Sequence, residues 1–237
     1  MSEIDMLAYT IAKFGAPEQA QTVAREDAER YVGRVPDALI RFWLQHGRGV
    51  FQSGKFRICD PAPLQPVIEA LFHGDPDFNP KEMTAVGYSA FGRLEIWHRT
   101  RRALSADFLF HNVFNAPESS WHDPQTGKPF SGDYAIANQL TSFQFSPVQV
   151  DSAGNDLLPQ AIARLGALEP GEIYAFVPTI PFGGIYSIEN LRRVDAAAYM
   201  LVMAEMSNFT LTRLTRPEPP AHPYGRVVRV RGIGVSQ

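Results

Sequence analysis

The sequence predicts an α+β fold, built as two closely packed α+β modules with mixed or antiparallel sheets and flanking helices. Three observations support this class. The 237 residues are 45% hydrophobic and 20% charged, as in globular proteins with a sizeable core. Helical patterns open the chain, and strands with short helices between them follow. Residues 115–133 are rich in turn formers and poor in aliphatic residues, so they predict a boundary between the modules.

The chain is expected to have two domains and a tail. We expect a first domain over residues 1–115, a second over residues 130–215, and a tail rich in Pro and Arg over residues 216–237.

The first domain opens with helices. Residues 4–14 have apolar positions at helical spacing, and residues 23–32 form a second, weaker helical run. The clearest helix follows Pro36, which suits a first helical turn, and begins with Asp37, which suits the positive helix end. Gly47 is expected to end it.

Strands dominate the rest of the first domain. "GVFQSGKFRICDP" predicts a hairpin that turns at Ser53 and Gly54. Residues 63–74 predict a short helix, and residues 83–99 predict two strands broken by a glycine. Residues 106–115, "ADFLFHNVFN", predict one further strand.

The second domain alternates helices with a strand. Residues 133–143 and 154–168 predict helices, and residues 195–209 predict a helix that is apolar nearly all round and therefore deeply buried. Between them, the β-rich run Ile173 to Pro178 meets the pair Gly183-Gly184, after which we expect a helix.

The order of strand, glycine pair and helix raises the question of a phosphate-binding loop. Such a loop needs the pattern G-x-x-x-x-G-K-[ST], and a dinucleotide-binding turn needs three spaced glycines. Gly183 and Gly184 are adjacent, and neither pattern surrounds them. We therefore expect them to permit a positive φ angle and close backbone packing, with no cofactor.

No catalytic or metal-binding pattern is complete. None of the six histidines lies within four residues of another, as paired zinc ligands do. The one cysteine, Cys59, permits no intramolecular disulfide and is expected to be a buried apolar residue. A metal-dependent hydrolase that uses His98, His111 and Asp107 remains an alternative, because distant residues can assemble a site.

Charge is unevenly distributed. The net charge is −3, and five arginines and two glutamates from Glu205 onward leave −6 for the preceding residues. The tail arginines Arg226, Arg229 and Arg231 alternate with valines. This pattern favours an edge strand protected by charge, with a nucleic-acid-binding adaptor as the alternative.

Aromatic and acidic residues in predicted loops suit a partner protein with a basic surface. The candidates for this interface are Phe78, Glu118, Trp121, Asp123 and Phe182. Trp121 and Phe182 could instead fold back into the core.

Two segments carry family resemblances. "YVGRVPDALIRFWLQHGRGVFQSGKFRICDPAPLQPVIEALF" resembles the GAD-like domain family in its pattern of Pro36, Leu39, Phe42, Trp43 and Gly47. "LGALEPGEIYAFVPTIPFGGIYSIENLRRVDAAAYMLVMAEMSNFTL" resembles the C-terminal domain that often accompanies the GAD-like domain. The features that this second segment shares with that family are Tyr174, Phe176, Val177, Pro178, Gly183 and Gly184.

The pairing resembles immunity proteins of bacterial type VI secretion systems, which neutralise a cognate DNase toxin in the producing cell. The resemblance implies a cytoplasmic, non-enzymatic inhibitor that binds its nuclease toxin one to one. It implies no direct contact with nucleic acid or membrane, and it transfers no catalytic residue.

Overall fold

The α+β class is confirmed. The computed structural model describes residues 6–116, 121–123, 125–144, 149–215 and 226–234, and within them helices flank one large mixed sheet and one small sheet. The helices are α1 Met6–Phe14, α2 Arg25–Glu29, α3 Asp37–His46, α4 Gln65–Leu71, α5 Gly132–Gln144, α6 Leu157–Leu165 and α7 Ala196–Met206. The strands are β1 Glu18–Gln21, β2 Arg48–Phe51, β3 Phe56–Ile58, β4 Met83–Ser89, β5 Arg93–His98, β6 Arg102–Asp107, β7 Asn112–Asn115, β8 Glu172–Phe176, β9 Leu191–Asp195, β10 Thr210–Leu214 and β11 Val227–Gly232.

The large sheet has the order β1-β2-β3-β4-β5-β6-β7-β10-β11. Strands β1 to β7 are neighbours in chain order and antiparallel, with helices in the connections from β1 to β2 and from β3 to β4. Strand β10 then pairs parallel with β7, aligning Leu211 with Val113, and β11 closes the edge as an antiparallel partner of β10. The small sheet is the antiparallel pair β8-β9.

The first of three apolar clusters, the α3–α5 core, lies between the large sheet and helices α1, α3 and α5. Helix α3 begins after Pro36 and ends at Gly47, whose φ of 74° is easily adopted by glycine, as the sequence predicts. Its inner face buries Leu39, Phe42 and Trp43. These side chains bury the sheet face that carries Phe51 and Phe56.

Asp133 connects α5 to α3. Its Oδ1 accepts a hydrogen bond from the backbone N–H of Ala38 at 2.9 Å, and its Oδ2 pairs with Arg41 Nη2 at 2.9 Å. A carboxylate at this position satisfies an otherwise free N–H and complements the positive helix end. Helix α5 is thereby fixed to the same core as the N-terminal helices.

A second cluster, the α4–α7 core, lies on the other side of the sheet and is shared by distant parts of the chain. It contains Ile68 and Phe72 from the α4 region, Leu94 from β5, and Met200 and Met203 from α7. A third cluster, the α6 core, packs α6 and the small sheet against the turns of the large sheet.

The segment 106–115 is two strand ends and a turn, so the prediction of one strand is wrong. Asp107 ends β6, and its Oδ1 accepts hydrogen bonds from the N–H groups of Leu109 and Phe110 at 2.9 and 3.0 Å. His111 then adopts a φ of 50°. An aspartate that caps its own turn reverses the chain, and alternating apolar residues do not reveal this.

The predicted helix after the glycine pair is also wrong. The chain forms one short 3₁₀ turn at Ile188–Asn190 and then enters β9, which pairs with β8 along its full length. The β9 sequence LRRVD does not alternate between apolar and polar residues, so its periodicity gives no strand signal.

Helix α7 is present, but the prediction that it is buried all round is wrong. Ala196, Met200 and Met203 face the α4–α7 core, while Val202 and Met206 are 45% and 65% exposed. Uniform apolar composition gives no face preference, so the sequence could not distinguish the inner side from the outer side. None of the described helices is long and apolar enough to span a lipid bilayer.

The edge strand predicted for the tail arginines is confirmed as β11. Arg231 Nη1 lies 2.7 Å from Asp75 Oδ2, and its Nη2 lies 2.7 Å from Asp77 Oδ2. The Asp75 side chain is fully buried. Burial alone would raise the pKa of Asp75, but hydrogen bonds from Arg231 and from backbone N–H groups outweigh it and hold the pKa below 3.8, its ordinary value. Arg231 therefore fastens the sheet edge to the 75–78 loop.

We expect Arg231→Ala to lower the free energy of unfolding by about 2 kcal/mol, because a buried carboxylate would lose its charged partner but keep its backbone donors. Urea unfolding at pH 7 measures this change. Arg229→Ala is the matched control, since Arg229 bonds only Thr210 Oγ1 among the described contacts, and it should change stability by less than about 0.5 kcal/mol.

The stability contributed by the Asp75–Arg231 pair depends on pH in a defined direction. A lowered carboxyl pKa stabilises the fold above the ordinary value of 3.8, and this contribution disappears as the pH falls through the lowered pKa. Equal losses in both variants, or an Arg231→Ala deficit that grows towards acid pH, would contradict the role of this ion pair.

Candidate partner interface

The glycine pair closes a tight turn after β8. A 3₁₀ turn covers Ile180–Phe182, and the N–H groups of Phe182, Gly183 and Gly184 each donate to a carbonyl of Thr179 or Ile180 at 2.9 to 3.1 Å. These bonds hold the turn in one conformation without any charged side chain.

Both glycines are required by geometry. Gly183 has a φ of 83°, in the left-handed region, which confirms the prediction of a positive φ. A Cβ on Gly184 would overlap the carbonyl oxygen of Pro178, and it would lie 2.7 Å from the carbonyl carbon. The pair therefore serves chain reversal and close backbone contact, as the sequence predicts.

The turn presents its apolar side chains in opposite directions. Ile180 packs against the α6 core, while Phe182 remains 50% exposed and Ile185 69% exposed. The Phe182 ring meets the His111 ring edge-on, with 6.3 Å between centroids, and His111 in turn stacks on Phe209 at 4.9 Å. This stack connects the turn to the β6-β7 turn of the large sheet.

Phe110, beside His111, is 53% exposed, and Val177 at the end of β8 is 46% exposed. We call the four exposed apolar side chains of these two adjoining turns, Phe110, Val177, Phe182 and Ile185, the Phe182 surface. Several aromatic and aliphatic side chains exposed on adjoining turns are typical of protein-binding anchors, whereas single exposed apolar residues are ordinary.

Phe78 is not a surface anchor, so its expected exposure is wrong. Its side chain is 1% exposed, and its ring packs against Phe72 at 5.6 Å between centroids. The guanidinium groups of Arg101 and Arg231 lie over the ring at 5.2 and 5.7 Å. The acidic 75–77 stretch looks like a solvated loop in sequence, but its ion pairs fold it over Phe78.

Trp121 is likewise buried, at 7% exposure, in the α3–α5 core. The expectation of an exposed anchor is wrong here too, and the inward alternative is correct. The chain doubles back on itself at this point, where Phe130 N–H donates to the Trp121 carbonyl at 2.8 Å and His122 forms an isolated bridge with Pro129. Its indole Nε1 is buried and has no hydrogen-bond partner among the residues that the structure describes.

Asp123 has a structural role in its turn. It is half-buried, and its Oδ1 accepts from the N–H groups of Gln125 and Thr126 at 2.7 and 3.1 Å, which lowers the pKa of Asp123. Glu118 lies outside the described residues. Of the five predicted interface residues, Phe182 alone has a large exposed apolar surface in the described structure.

The residues of the hydrolase alternative are not brought together. In the β5-β6 ladder, His98 pairs with Arg102 at one end and Arg93 pairs with Asp107 at the other, roughly 17 Å apart at strand rise. His98 is buried, and its Nδ1 accepts from Thr100 N–H at 3.2 Å. Burial lowers the pKa of both His98 and His111. The described residues contain no cluster of three or more His, Cys, Asp or Glu that could hold a metal ion.

Sequence reasoning missed Phe110, Val177 and Ile185. For Val177 and Ile185 a clue was present in "VPTIPFGGIY", where prolines and glycines limit how many of the five large apolar side chains can turn inward. Cys59, in contrast, is buried as expected, and burial raises the pKa of its thiol to about 12.

Comparison with known families finds two domains in this chain. Residues 5–107 match the GAD-like domain, and residues 140–207 match the C-terminal domain of the T6SS immunity protein Tdi1. Both resemblances drawn from the sequence are thereby confirmed. The second match suggests a non-enzymatic role and implies a toxin as partner. The Phe182 turn lies within the second matched region.

Among solved structures, the chain is similar to the crystal structure of Atu4351 from Agrobacterium tumefaciens. The two share 26% sequence identity and superpose with a TM-score of 0.80, over 96% of this chain and 97% of the other. The comparison with curated proteins gives no match.

We expect Gly184→Ala to lower the free energy of unfolding by about 2 kcal/mol, because the new methyl group overlaps backbone that cannot rotate away. Gly232→Ala is the matched control: its φ is ordinary, and no described atom lies within 4 Å of the added carbon. Thermal unfolding of both variants tests the turn, and an unchanged Gly184→Ala would show that the chain relaxes freely there.

Proposed function

We propose that this protein binds and neutralises a cognate type VI secretion DNase toxin in the cytoplasm of the producing cell, as a one-to-one complex that occludes the toxin. The observation that carries the proposal is the match of residues 140–207 to an immunity-protein domain. The DNase target rests on the resemblance of the two-domain pairing to immunity proteins of that kind.

The Phe182 surface is the contact that we propose for the toxin. It is apolar and partly exposed, and it is held by the ring stack and the glycine turn, so little side-chain and loop entropy is lost on binding. Aromatic anchors of this kind commonly provide most of an interface's binding energy.

Charge complements this contact. A nuclease presents cationic groups to its phosphate-bearing substrate. The chain carries −6 before Glu205, and Arg231, the most buried of the tail arginines, is neutralised by Asp75 and Asp77. This ion pair also argues against a nucleic-acid-binding adaptor, because the Arg231 guanidinium is already bonded to carboxylates and is not available to a phosphate group. Long-range attraction would therefore accelerate association with a basic toxin.

Co-expression with the product of the neighbouring gene tests the function. A tag on this chain should recover a stable complex, and plasmid cleavage by the neighbour should be suppressed in it. Failure to form a complex with a toxic neighbour, together with no protection of the host cell, would contradict the proposal.

Phe182→Ala should weaken the toxin complex about 30-fold in Kd, equivalent to ~2 kcal/mol, because an aromatic anchor is lost. Val32→Ala is the matched control, since Val32 is 59% exposed in a turn of the first domain. Calorimetric titration gives both affinities. If Phe182→Ala binds the toxin with native-like affinity, the proposed interface is wrong, but the proposed immunity function is not contradicted.

The association rate should fall at least tenfold between about 50 and 500 mM NaCl, because salt screens long-range attraction between the acidic chain and a basic toxin. Stopped-flow mixing measures the rate, and the dissociation rate at the same salt concentrations serves as the internal control. An association rate indifferent to salt would remove electrostatic steering from the mechanism.

A further inference from the structure

A cavity of about 310 Å³ lies where the two matched regions meet. One wall is formed by the large sheet, with Arg48, Arg57 and Tyr88. The opposite wall is formed by Gly171 and by the start of α7. The walls are connected directly, because Gly171 N–H donates to Tyr88 Oη at 3.1 Å and Ala196 N–H donates to the Gly171 carbonyl at 2.7 Å.

Arg57 is the unusual residue of this cavity. It lies at the centre of β3, paired with Tyr88 on β4, and is only 6% exposed. Its Nη2 is buried and has no hydrogen-bond partner within the described parts of the chain. A buried guanidinium nearly always has a partner for each of its N–H groups, so this one is available to a ligand.

Arg48 adds a second guanidinium. Its Nη1 pairs with Asp60 Oδ1 at 3.0 Å, and its guanidinium lies 4.4 Å from the ring centre of Trp43. Its Nε and Nη2 are buried, and they too have no partner among the described residues. Two buried guanidinium groups therefore line one cavity, each with unused N–H groups.

The acidic groups nearby are already engaged. Asp60 accepts from Arg48 and from Ala62 N–H at 3.3 Å, and Asp195 caps α7 by accepting from Ala198 N–H at 2.7 Å. Burial raises the pKa of both Cys59 and Tyr88 to about 12, so neither adds negative charge at neutral pH. The 11-residue helix α7 begins at the same place, but Asp195 caps it and Ala196 N–H is bonded to the Gly171 carbonyl, so the helix adds only the field of its dipole.

We propose that this seam cavity binds a small oxyanion, a carboxylate or a phosphate group, between the guanidinium groups of Arg48 and Arg57 and beside the start of α7. Planar guanidinium groups recognise such anions through paired, charge-assisted hydrogen bonds, and a helix N-terminus adds to the attraction. The bound anion would connect the sheet to α7. This site is independent of the toxin-binding proposal, because it needs no partner protein.

The test is thermal unfolding of the full chain at pH 7 with sodium phosphate, sodium acetate or sodium chloride at equal ionic strength. A ligand present at ten times its Kd should raise Tm by about 3–5 °C, and Tm should go on rising with the logarithm of the ligand concentration, whereas chloride should have no such effect. Stabilisation by phosphate alone identifies a phosphoryl site, and stabilisation by acetate alone identifies a carboxylate site. Equal shifts in all three salts would overturn the proposal.

Two variants locate the site. Arg57→Gln should abolish the anion-dependent shift, while Arg164→Gln, which removes one charge from the exposed side of α6, should retain it. If Arg57→Gln does not fold, Arg57→Lys keeps the charge without the planar donor pair and should bind about tenfold more weakly. In the wild-type chain, phosphate should also shift the ¹⁵N resonances of the Arg48 and Arg57 side chains. An anion effect that survives in Arg57→Gln, or that keeps its wild-type strength in Arg57→Lys, would place the anion elsewhere and overturn the proposal.

Discussion

The parallel pairing of β7 with β10 is the constraint on which the rest of the structure depends. It aligns Val113 with Leu211 and makes everything between them, from α5 to α7, one long crossover connection within a single sheet. The pairing also places Phe209 against Phe108 at 5.1 Å and against His111 at 4.9 Å between ring centroids. His111 then contacts Phe182. The β7-β10 pairing thus positions the turn that carries Phe182, although this turn belongs to neither strand.

The joining strands lie outside the regions that match known domains, which end at residues 107 and 207. What unites the two regions is therefore the shared sheet and the shared α4–α7 core, where Leu94 from the first packs in one cluster with Met200 from the second. Close packing of this kind leaves few ways to move one region alone. The seam cavity lies across the same junction, so an anion held by Arg57 would act on the contact between the regions.

Local signals predicted local structure well. Gly47 ends α3 where the sequence indicates, and Asp37 opens this clearest helix, because caps and turns depend on neighbouring residues. The parallel β7-β10 pair and the buried positions of Phe78 and Trp121 depend on residues far away in sequence. No local pattern shows that Arg231 covers Phe78 from more than 150 residues away. The class of fold was therefore predictable, whereas most of the candidate interface was not.

Charge and apolar contact contribute to different steps of recognition. Long-range attraction between an acidic chain and a basic toxin raises the rate at which they meet, but salt screens it and it discriminates weakly among basic proteins. An aromatic side chain in a rigid turn acts only after contact, and it slows dissociation. Phe182 lies on a turn whose backbone Gly183 and Gly184 fix in advance, so its position is set before any partner arrives. A single toxin would then be distinguished by the shape that fits this turn, because charge alone would admit many others.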